Sequence, residues 1–518
     1  MTAGLCLSGC GPAPKSRPQV SPRKDVTQAA VQVTRRSPSP DPKRSDYADC
    51  LYTAEVKVLE IRSGPRVPRE IVLDLPCFSK RSLGPEASFQ AGQIIEVEII
   101  PHEMADEQHK AMQRSDTLDR FDLPVHDALR AQASSRSLAS FPTQADSYFA
   151  SASGAKPTPT TPMASAVRYP WSSKAAAERQ AALAIGKESI LKALQDNGGD
   201  WNAWAEKIQP FYEDLCHQGD QAPHRELFKG NFEYTELIRG NYKKLCNAGD
   251  AGSPGPLMML SSLNKQLRAR GIDLIVVPFP TKEDVSAEQF SPLAPKDGWF
   301  EPYRQKFLLQ LLEADIEVID LVQPLRAARS RFPYVFYNDD DEHPADGAIQ
   351  VAAEEITKRL QRYELKGKDG KRLDLHLKPV EVQKPTNRGL LKFPATQVAM
   401  ADEKPLVVPE SSGSPVIIMG DSYTRIPHRY LEGGDGCAIP MHLAYHLGVM
   451  PDNLIRMGSS DQAMRLLARE GGDYLGHRCA VVFVFAYTRL FGTVASNKEH
   501  KEDTWDMVSL PPLKLDQK

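Results

Sequence analysis

The chain has 518 residues, 41% hydrophobic and 25% charged, with 64 Lys and Arg against 67 Asp and Glu for a net charge of −3. Those values exclude wholesale disorder, a collagen-like or coiled-coil rod, and an overall basic field that would attract nucleic acid. No run of about 18 apolar residues occurs, so no transmembrane helix is expected, and at roughly 150 residues per domain the length allows two to four domains.

Residues 1–44 read as a signal-like start followed by a disordered tether. Leu7-Ser8-Gly9-Cys10 has the shape of a bacterial lipobox, which would make Cys10 lipidated and the Pro-rich stretch from Gly11 to Arg44 a tether to a membrane anchor. Only Leu5, Cys6 and Leu7 form an apolar stretch before it, whereas a secretory signal needs about 7 to 15 apolar residues, so an ordinary disordered N-terminus is the competing reading. With Cys6 and Cys10 set aside, Cys50, Cys77, Cys216, Cys246, Cys437 and Cys479 remain, an even set that an oxidising envelope would allow to pair. Isolated buried thiols are the alternative. Cys437 and Cys479 are expected to lie close together, since one precedes the helix after the candidate nucleophile and the other begins the closing strand. No CxxC and no zinc-like Cys/His spacing occurs, so neither a metal nor a cofactor is expected.

From 45 to 127 the text alternates apolar and polar residues: YTAEVKVLEIR, PREIVLDL, and QIIEVEIIP after Gln90-Ala91-Gly92. That pattern predicts a small β-rich module, a barrel or sandwich, acting as a spacer or partner-binding unit. Residues 128–170, with KPTPTTP near their centre, are rich in Ala, Ser, Thr and Pro and read as a linker. Residues 171–254 have helical spacing interrupted by Asn197-Gly198-Gly199, which predicts two helices.

From 255 to 495 strands and helices alternate, the signature of a doubly wound parallel α/β sheet. The strands are IDLIVVPFP, IEVIDL, PVIIMG, NLIRMG and CAVVFVF, and the continuous apolar runs suit strands covered on both faces. The stretch from Glu364 to Ser414 is polar and irregular and takes no assignment. Residues 496–518 form a tail.

Three segments stand at the carboxyl ends of predicted strands, where an open α/β sheet places its chemistry. In VIIMGDSYTR, Gly420 would permit a tight turn, and Ser422 would open the next segment, whose free N–H groups can hold an oxyanion. Asp421 or Ser422 as a plain helix cap is the competing reading. In FYNDDDEHPADGAIQVAAEEI, Asp341 or Asp340 could hold one nitrogen of His343 while the other faces a substrate; a solvated acidic loop with Asp346 capping the helix competes. The third segment is LIVVPFPTKEDV, a strand running into Pro278-Phe279-Pro280-Thr281-Lys282.

In that order the three segments resemble the SGNH hydrolase-like domain of the AlgX and AlgJ alginate O-acetyltransferases, from about Gly255 to Phe491. The family carries a Pro-x-Lys turn after the first strand, an Asp-x-His pair before a helix and a later Gly-Asp-Ser; ordinary SGNH esterases place the serine motif first. The resemblance implies an SGNH-like α/β sheet with Ser422 as nucleophile, His343 as general base and Asp341 as orienting acid. The turn itself makes the Ser422 N–H one oxyanion donor, and Arg456-Met457-Gly458-Ser459 after a strand is the place for a second, at Gly458. Lys282 and Arg489 stand where the family has its Pro-x-Lys turn and closing-strand arginine, and Tyr423 and Arg425 follow the nucleophile closely enough to line a pocket. Tyr487 stands where a glutamate would be the partner of Arg489. His428 could line the same pocket, and an exposed helix face explains Tyr423, Arg425 and His428 equally well.

Two further groups have bland alternatives. His442 and His446, four apart on a helix, could ligate a metal, but a helix surface or satisfied core suits them better. Trp299, Phe300 and Tyr303 could stack on a sugar, but their spacing also suits a helix packed on the sheet. The expected activity is serine-dependent transfer of an acyl group, acetyl by the resemblance, to a polysaccharide or acylated glycan in the bacterial cell envelope, with an acyl-donor protein or small acyl ester as partner. An esterase or deacetylase of glycan or lipid, and a non-catalytic SGNH-like scaffold in polysaccharide assembly, are the alternatives.

Overall fold

The computed structural model describes residues 25–486 apart from 44, 46, 107–108, 111, 151–171, 212, 215–255, 297, 299–300, 338–342, 367–369, 387–388, 411–412, 429, 458–459 and 471. The first unit contains β1 (Thr27–Arg36), β2 (Cys50–Ser63), β3 (Glu70–Ser79), β4 (Ser82–Leu83), β5 (Ile94–Pro101), β6 (Gln113–Ser115) and β7 (Val125–Ala133). Five of them close into a ring: β1 pairs with β2, β2 with β3, β3 with β7, β7 with β5, and β5 with β1. All of these pairings are antiparallel except β3 with β7. Counting the five in chain order, the ring runs first, second, third, fifth, fourth, which is the OB topology. Val31, Val33, Tyr52, Val56, Leu73, Leu75, Ile95 and Ile99 fill its core.

Two of these strands fall where tether and linker were expected. β1 lies within 1–44, where flanking prolines and arginines mask an alternating TQAAVQV; its main chain fills the gap between β2 and β5. β7 runs from Val125 to Ala133 across the expected linker start, and the chain after it stays on the barrel, with the Tyr148 hydroxyl bonded to Ile61 and Phe149 in the core. The rest of the expected linker, 151–171, lies outside the described residues.

Between the two units, α1 (Ser173–Asp196) is capped by the Ser172 hydroxyl and α2 (Trp201–Lys207) by the Asp200 carboxylate. The second unit contains α3 (Pro256–Ala269), β8 (Asp273–Phe279), α4 (Lys282–Phe290), α5 (Pro302–Glu313), β9 (Glu317–Val318), α6 (Val322–Ala328) and α7 (Asp346–Leu360). Then come β10 (Leu375–Thr386), β11 (Gly389–Met400), β12 (Val416–Gly420), α8 (Ser422–Arg425), α9 (Ile439–Leu447), β13 (Asp452–Ile455), α10 (Ser460–Glu470), α11 (Gly472–Leu475) and β14 (Ala480–Ala486). The sheet order is β13-β12-β14-β8-β9, and every pairing in it is parallel. Successive side chains in a strand point to opposite faces. Ile417 and Phe483 therefore join Leu260, Phe307 and Leu467 in one layer, while Ile418 and Val482 join Leu325, Ile356 and Leu443 in the other.

The unassigned insert forms the β10–β11 hairpin, paired from Leu375↔Met400 to Thr386↔Gly389. Pro379 and Pro394 interrupt its apolar pattern and are tolerated because a two-stranded sheet has only edge strands. Cys437 and Cys479 are both free and buried, and they sit in separate apolar clusters, so the expected pairing is not formed. Among the described residues no helix is long and apolar enough to cross a membrane.

Candidate active site

All five parallel strands end on one edge of the sheet, and β12 delivers Ser422 there. Gly420 is required by close approach: a Cβ at this position would stand 1.9 Å from the Val484 carbonyl oxygen and 2.2 Å from Thr424 Oγ1. Asp421 follows in extended conformation and caps α8, its Oδ1 accepting from the Tyr423 N–H and its Oδ2 from the Ala486 N–H, both at 3.0 Å. The cap reading of Asp421 thus holds, and the same carboxylate ties the turn to the end of β14. Ser422 then sits at the first helical position with 1% of its surface exposed.

His343 reaches the same point from the loop before α7. An isolated bridge between Phe336 and Pro344, with Ala345 N–H donating to the Val335 carbonyl at 2.9 Å, closes the base of that loop. His343 Nε2 lies 2.9 Å from Ser422 Oγ. The imidazole packs 5.0 Å from the Tyr423 ring, which leans on Phe279 at the end of β8 at 5.6 Å. Tyr423 and Arg425 are both buried rather than on an exposed helix face, as is His428, whose Nδ1 accepts from the Gly436 N–H at 3.1 Å. Lys282 opens α4 and is buried behind the Thr281–Asp284 capping box. Burial pushes the Asp284 carboxyl up to about 6. Asp340, Asp341, Gly458, Tyr487 and Arg489 lie outside the described residues, as do Trp299 and Phe300; Tyr303 is buried in α5 with its hydroxyl donating to Asn202 Oδ1 at 2.8 Å.

The hairpin supplies a contact for which the sequence carried no signal. Asp346, at the start of α7, accepts from the Thr396 backbone N–H at 2.8 Å, the Thr396 hydroxyl at 3.1 Å and Gln350 Nε2 at 2.8 Å. It therefore clamps β11 to the helix that follows His343. The Thr396 carbonyl in turn accepts from His442 Nε2 at 2.9 Å, and burial holds that imidazole neutral, down at about 4. Buried with that bond made, His442 fits the satisfied-core reading.

In the barrel, Asp74, His102 and Asp127 bring three potential metal-ligand atoms within 4.8 Å of one another. A protein cation already balances them: Arg114 Nη2 lies 2.6 Å from Asp74 Oδ2, and His102 Nδ1 lies 2.6 Å from Asp127 Oδ2. A guanidinium inside a metal site would repel the ion, so this set fits a buried salt-bridge network instead.

Residues 240–432 match the family described as SGNH hydrolase-like domain, acetyltransferase AlgX. The chain carries an SGNH hydrolase-like domain of the AlgX type. Among solved structures, the O-acetyltransferase domain of Pseudomonas putida AlgJ is similar at 18% identity and a TM-score of 0.36, over 49% of this chain and 86% of that one. Pseudomonas aeruginosa AlgX is similar at 18% identity and a TM-score of 0.33, over 44% and 55%, and Bacillus cereus PatB1 at 12% and 0.29, over 52% and 93%. No curated protein sequence matches the chain. The SGNH match takes in Lys282, His343 and Ser422 and ends before β13, so the β13–α10 connection and β14 lie beyond it.

Proposed function

We propose that the SGNH domain is a serine-dependent O-acyltransferase of the bacterial cell envelope that moves an acyl group, acetyl by family likeness, onto a polysaccharide hydroxyl. The observation that carries this reading is the 2.9 Å contact between His343 Nε2 and Ser422 Oγ at the carboxyl edge of the parallel sheet. His343 Nε2 takes the hydroxyl proton as Ser422 Oγ attacks the acyl carbonyl, and the tetrahedral oxyanion is held by the Ser422 N–H and a donor at Gly458. The donor's leaving oxygen departs with the proton from His343, leaving an acyl-serine. An acceptor hydroxyl then gives its proton to His343, attacks the acyl-serine, and releases Ser422 when the proton returns. Asp341 orients the imidazole through Nδ1. Lys282, Tyr423, Arg425 and Arg489 line or brace the pocket. The Leu7–Cys10 lipobox shape supports a lipid-anchored, periplasm-facing placement.

The test is release of acetate from a chromogenic acetyl ester by the purified protein, with and without a polysaccharide acceptor. Acetylated polysaccharide in the products, absent with Ser422→Ala and His343→Ala, is the expected result. Acetate release that no acceptor captures makes the protein an esterase, and no reaction by wild type together with full cellular function of Ser422→Ala makes it a scaffold. Greater damage from Asp340→Asn than from Asp341→Asn reassigns the orienting acid.

A further inference from the structure

The barrel meets the α/β unit through two loops, one joining β1 to β2 and one joining β5 to β7. In an OB-type barrel these are the connections that take an oligosaccharide or oligonucleotide. Here they are covered by the chain's own second unit. Tyr47, from the first loop, is buried in a cluster with Ile426 and Met457, and its ring meets Tyr430 edge-on at 6.4 Å. Ile426 closes α8, its N–H donating to the Ser422 carbonyl at 2.9 Å. Met457 follows Arg456, whose own N–H donates to the Gly420 carbonyl at 3.0 Å. One barrel side chain thus touches both segments that flank the candidate nucleophile.

The second loop holds the two sides of the β13–α10 connection. On the near side, Arg456 Nη2 donates to His102 Nε2 at 3.0 Å and Arg456 Nη1 to Glu410 Oε1 at 2.9 Å, with the arginine side chain 1% exposed. A guanidinium can only donate, so His102 Nε2 accepts and its Nδ1–H donates to Asp127 Oδ2. On the far side, Arg469 of α10 makes a two-pronged contact with the Asp116 carboxylate, Nε to Oδ2 and Nη2 to Oδ1, both at 2.9 Å. Arg465 and Gln462 donate to the Asp116 carbonyl at 2.7 and 3.2 Å. The arginine bonds among them are buried and charge-assisted, the kind that sets a position rather than merely adding contact.

We infer that the barrel is an internal positioning module: Tyr47, His102 and Asp116 hold Met457, Arg456 and α10, on either side of the β13–α10 connection, against the unit that carries the Ser422 turn and so set the geometry for acyl transfer. The inference rests on the acyltransferase reading for its kinetic consequence but not for its structural one. It gives the barrel a task other than spacer or free glycan-binding unit, and it implies that the α/β unit without the barrel loses activity.

The test uses the full chain and two pairs of variants. Tyr47→Ala removes the packing on Ile426 and Met457, and Tyr47→Phe keeps the ring. His102→Leu removes the acceptor for Arg456, and His102→Gln offers an amide oxygen near the place of Nε2. With the fold checked by thermal melting, Tyr47→Ala and His102→Leu should lower kcat on a small acetyl ester by about tenfold to a hundredfold with KM little changed. Labelling of Ser422 by a sulfonyl fluoride should slow in parallel, and the conservative variants should recover to within about threefold of wild type. Hydrogen exchange of the amides from 456 to 462 should quicken in the two damaging variants. Unchanged exchange there, or folded variants with wild-type kcat and labelling, overturns the inference. If wild type itself neither turns over esters nor is labelled, the acyltransferase reading fails, and the exchange measurement still decides the positioning one. Should Tyr47→Ala not fold, Tyr47→Leu carries the same measurements.

Discussion

His343 Nε2 stands 2.9 Å from Ser422 Oγ across 79 residues of sequence. Two independent devices make that meeting: the Gly420–Asp421 turn, locked to β14, and the loop before α7, closed by the Phe336–Pro344 bridge. Ser422→Ala removes one hydroxyl and leaves both devices intact. The half-buried imidazole can recover its lost partner from water, so stability should change by no more than about 1 kcal/mol. Ester turnover should fall by about a thousandfold or more. Initial rates and a melting curve on the same preparation check this, and a variant that kept its activity would remove Ser422 from the chemistry.

The Asp346–Thr396 clamp predicts a different separation. Thr396→Val keeps the backbone donor but takes the hydroxyl from the carboxylate, which burial already pushes above the usual carboxylate range. The expected cost is about 1 kcal/mol, felt locally as faster hydrogen exchange along β11 and at the start of α7. Exchange that quickened everywhere equally would mean that the hairpin is not held at this point.

How much could be read from the sequence follows from the range of each interaction. The runs LIVVPF, VIIMG and AVVFVF are buried on both faces, so each strand announces itself locally, and the Gly-Asp-Ser and His343 motifs are local too. The barrel's closure was not legible, because β1 becomes a strand by pairing with β2 and with β5, whose partner residues stand far along the chain, as Thr27↔Ile99 does. Nor was the docking of the two units. Tyr47, His102 and Arg456 are ordinary residues in loops or at a strand end, and their significance lies wholly in which distant residue each one meets. The hairpin was hidden for a third reason, since Pro379 and Pro394 break the alternation that marks a strand.

The interface between the units also predicts a pH dependence. Burial by itself would raise the Glu410 carboxyl, but the Arg456 guanidinium, 2.9 Å away, and the Lys110 ammonium outweigh it and bring the group from 4.5 down to about 2. A depressed carboxyl contributes stability that is present above about 4.5 and lost as the pH falls from there towards 2. A displacement of that size is on the order of 3 kcal/mol. Glu410→Gln should therefore be less stable than wild type at pH 7, with the gap closing between pH 4.5 and 2. Melting curves across that range measure it, and a gap independent of pH would show that Glu410 is not the group responsible.

Cys437 and Cys479 are free, buried thiols that burial pushes up to about 12. Alkylation requires the thiolate and access to it. Iodoacetamide at pH 8 should therefore leave both unlabelled in the folded protein and label both in denaturant, as read by peptide mass spectrometry. A peptide linking the two through a disulfide would contradict the separate clusters in which they lie.

Gly420→Ala should lose fold and activity together, unlike Ser422→Ala. The new methyl would stand 1.9 Å from the Val484 carbonyl oxygen, and Gly420 and Val484 are register partners in the parallel pair β12 and β14. A flexible side chain could move aside, but this neighbour is the backbone of a central strand packed on both faces. Relief requires β12 to move away from β14, which would break the Thr424 hydroxyl bond to the same carbonyl and the tie from Asp421 to the Ala486 N–H. The expected cost is about 3 kcal/mol or more, in the range of severe overpacking. Gly92→Ala provides the control: its φ is +88° but nothing lies within 4 Å of the new methyl, so only the left-handed backbone penalty of about 1 to 2 kcal/mol applies. Urea unfolding of the two variants should rank Gly420→Ala well below Gly92→Ala. Equal losses would mean that the close approach of β14 to Gly420 does not constrain the turn that carries Ser422.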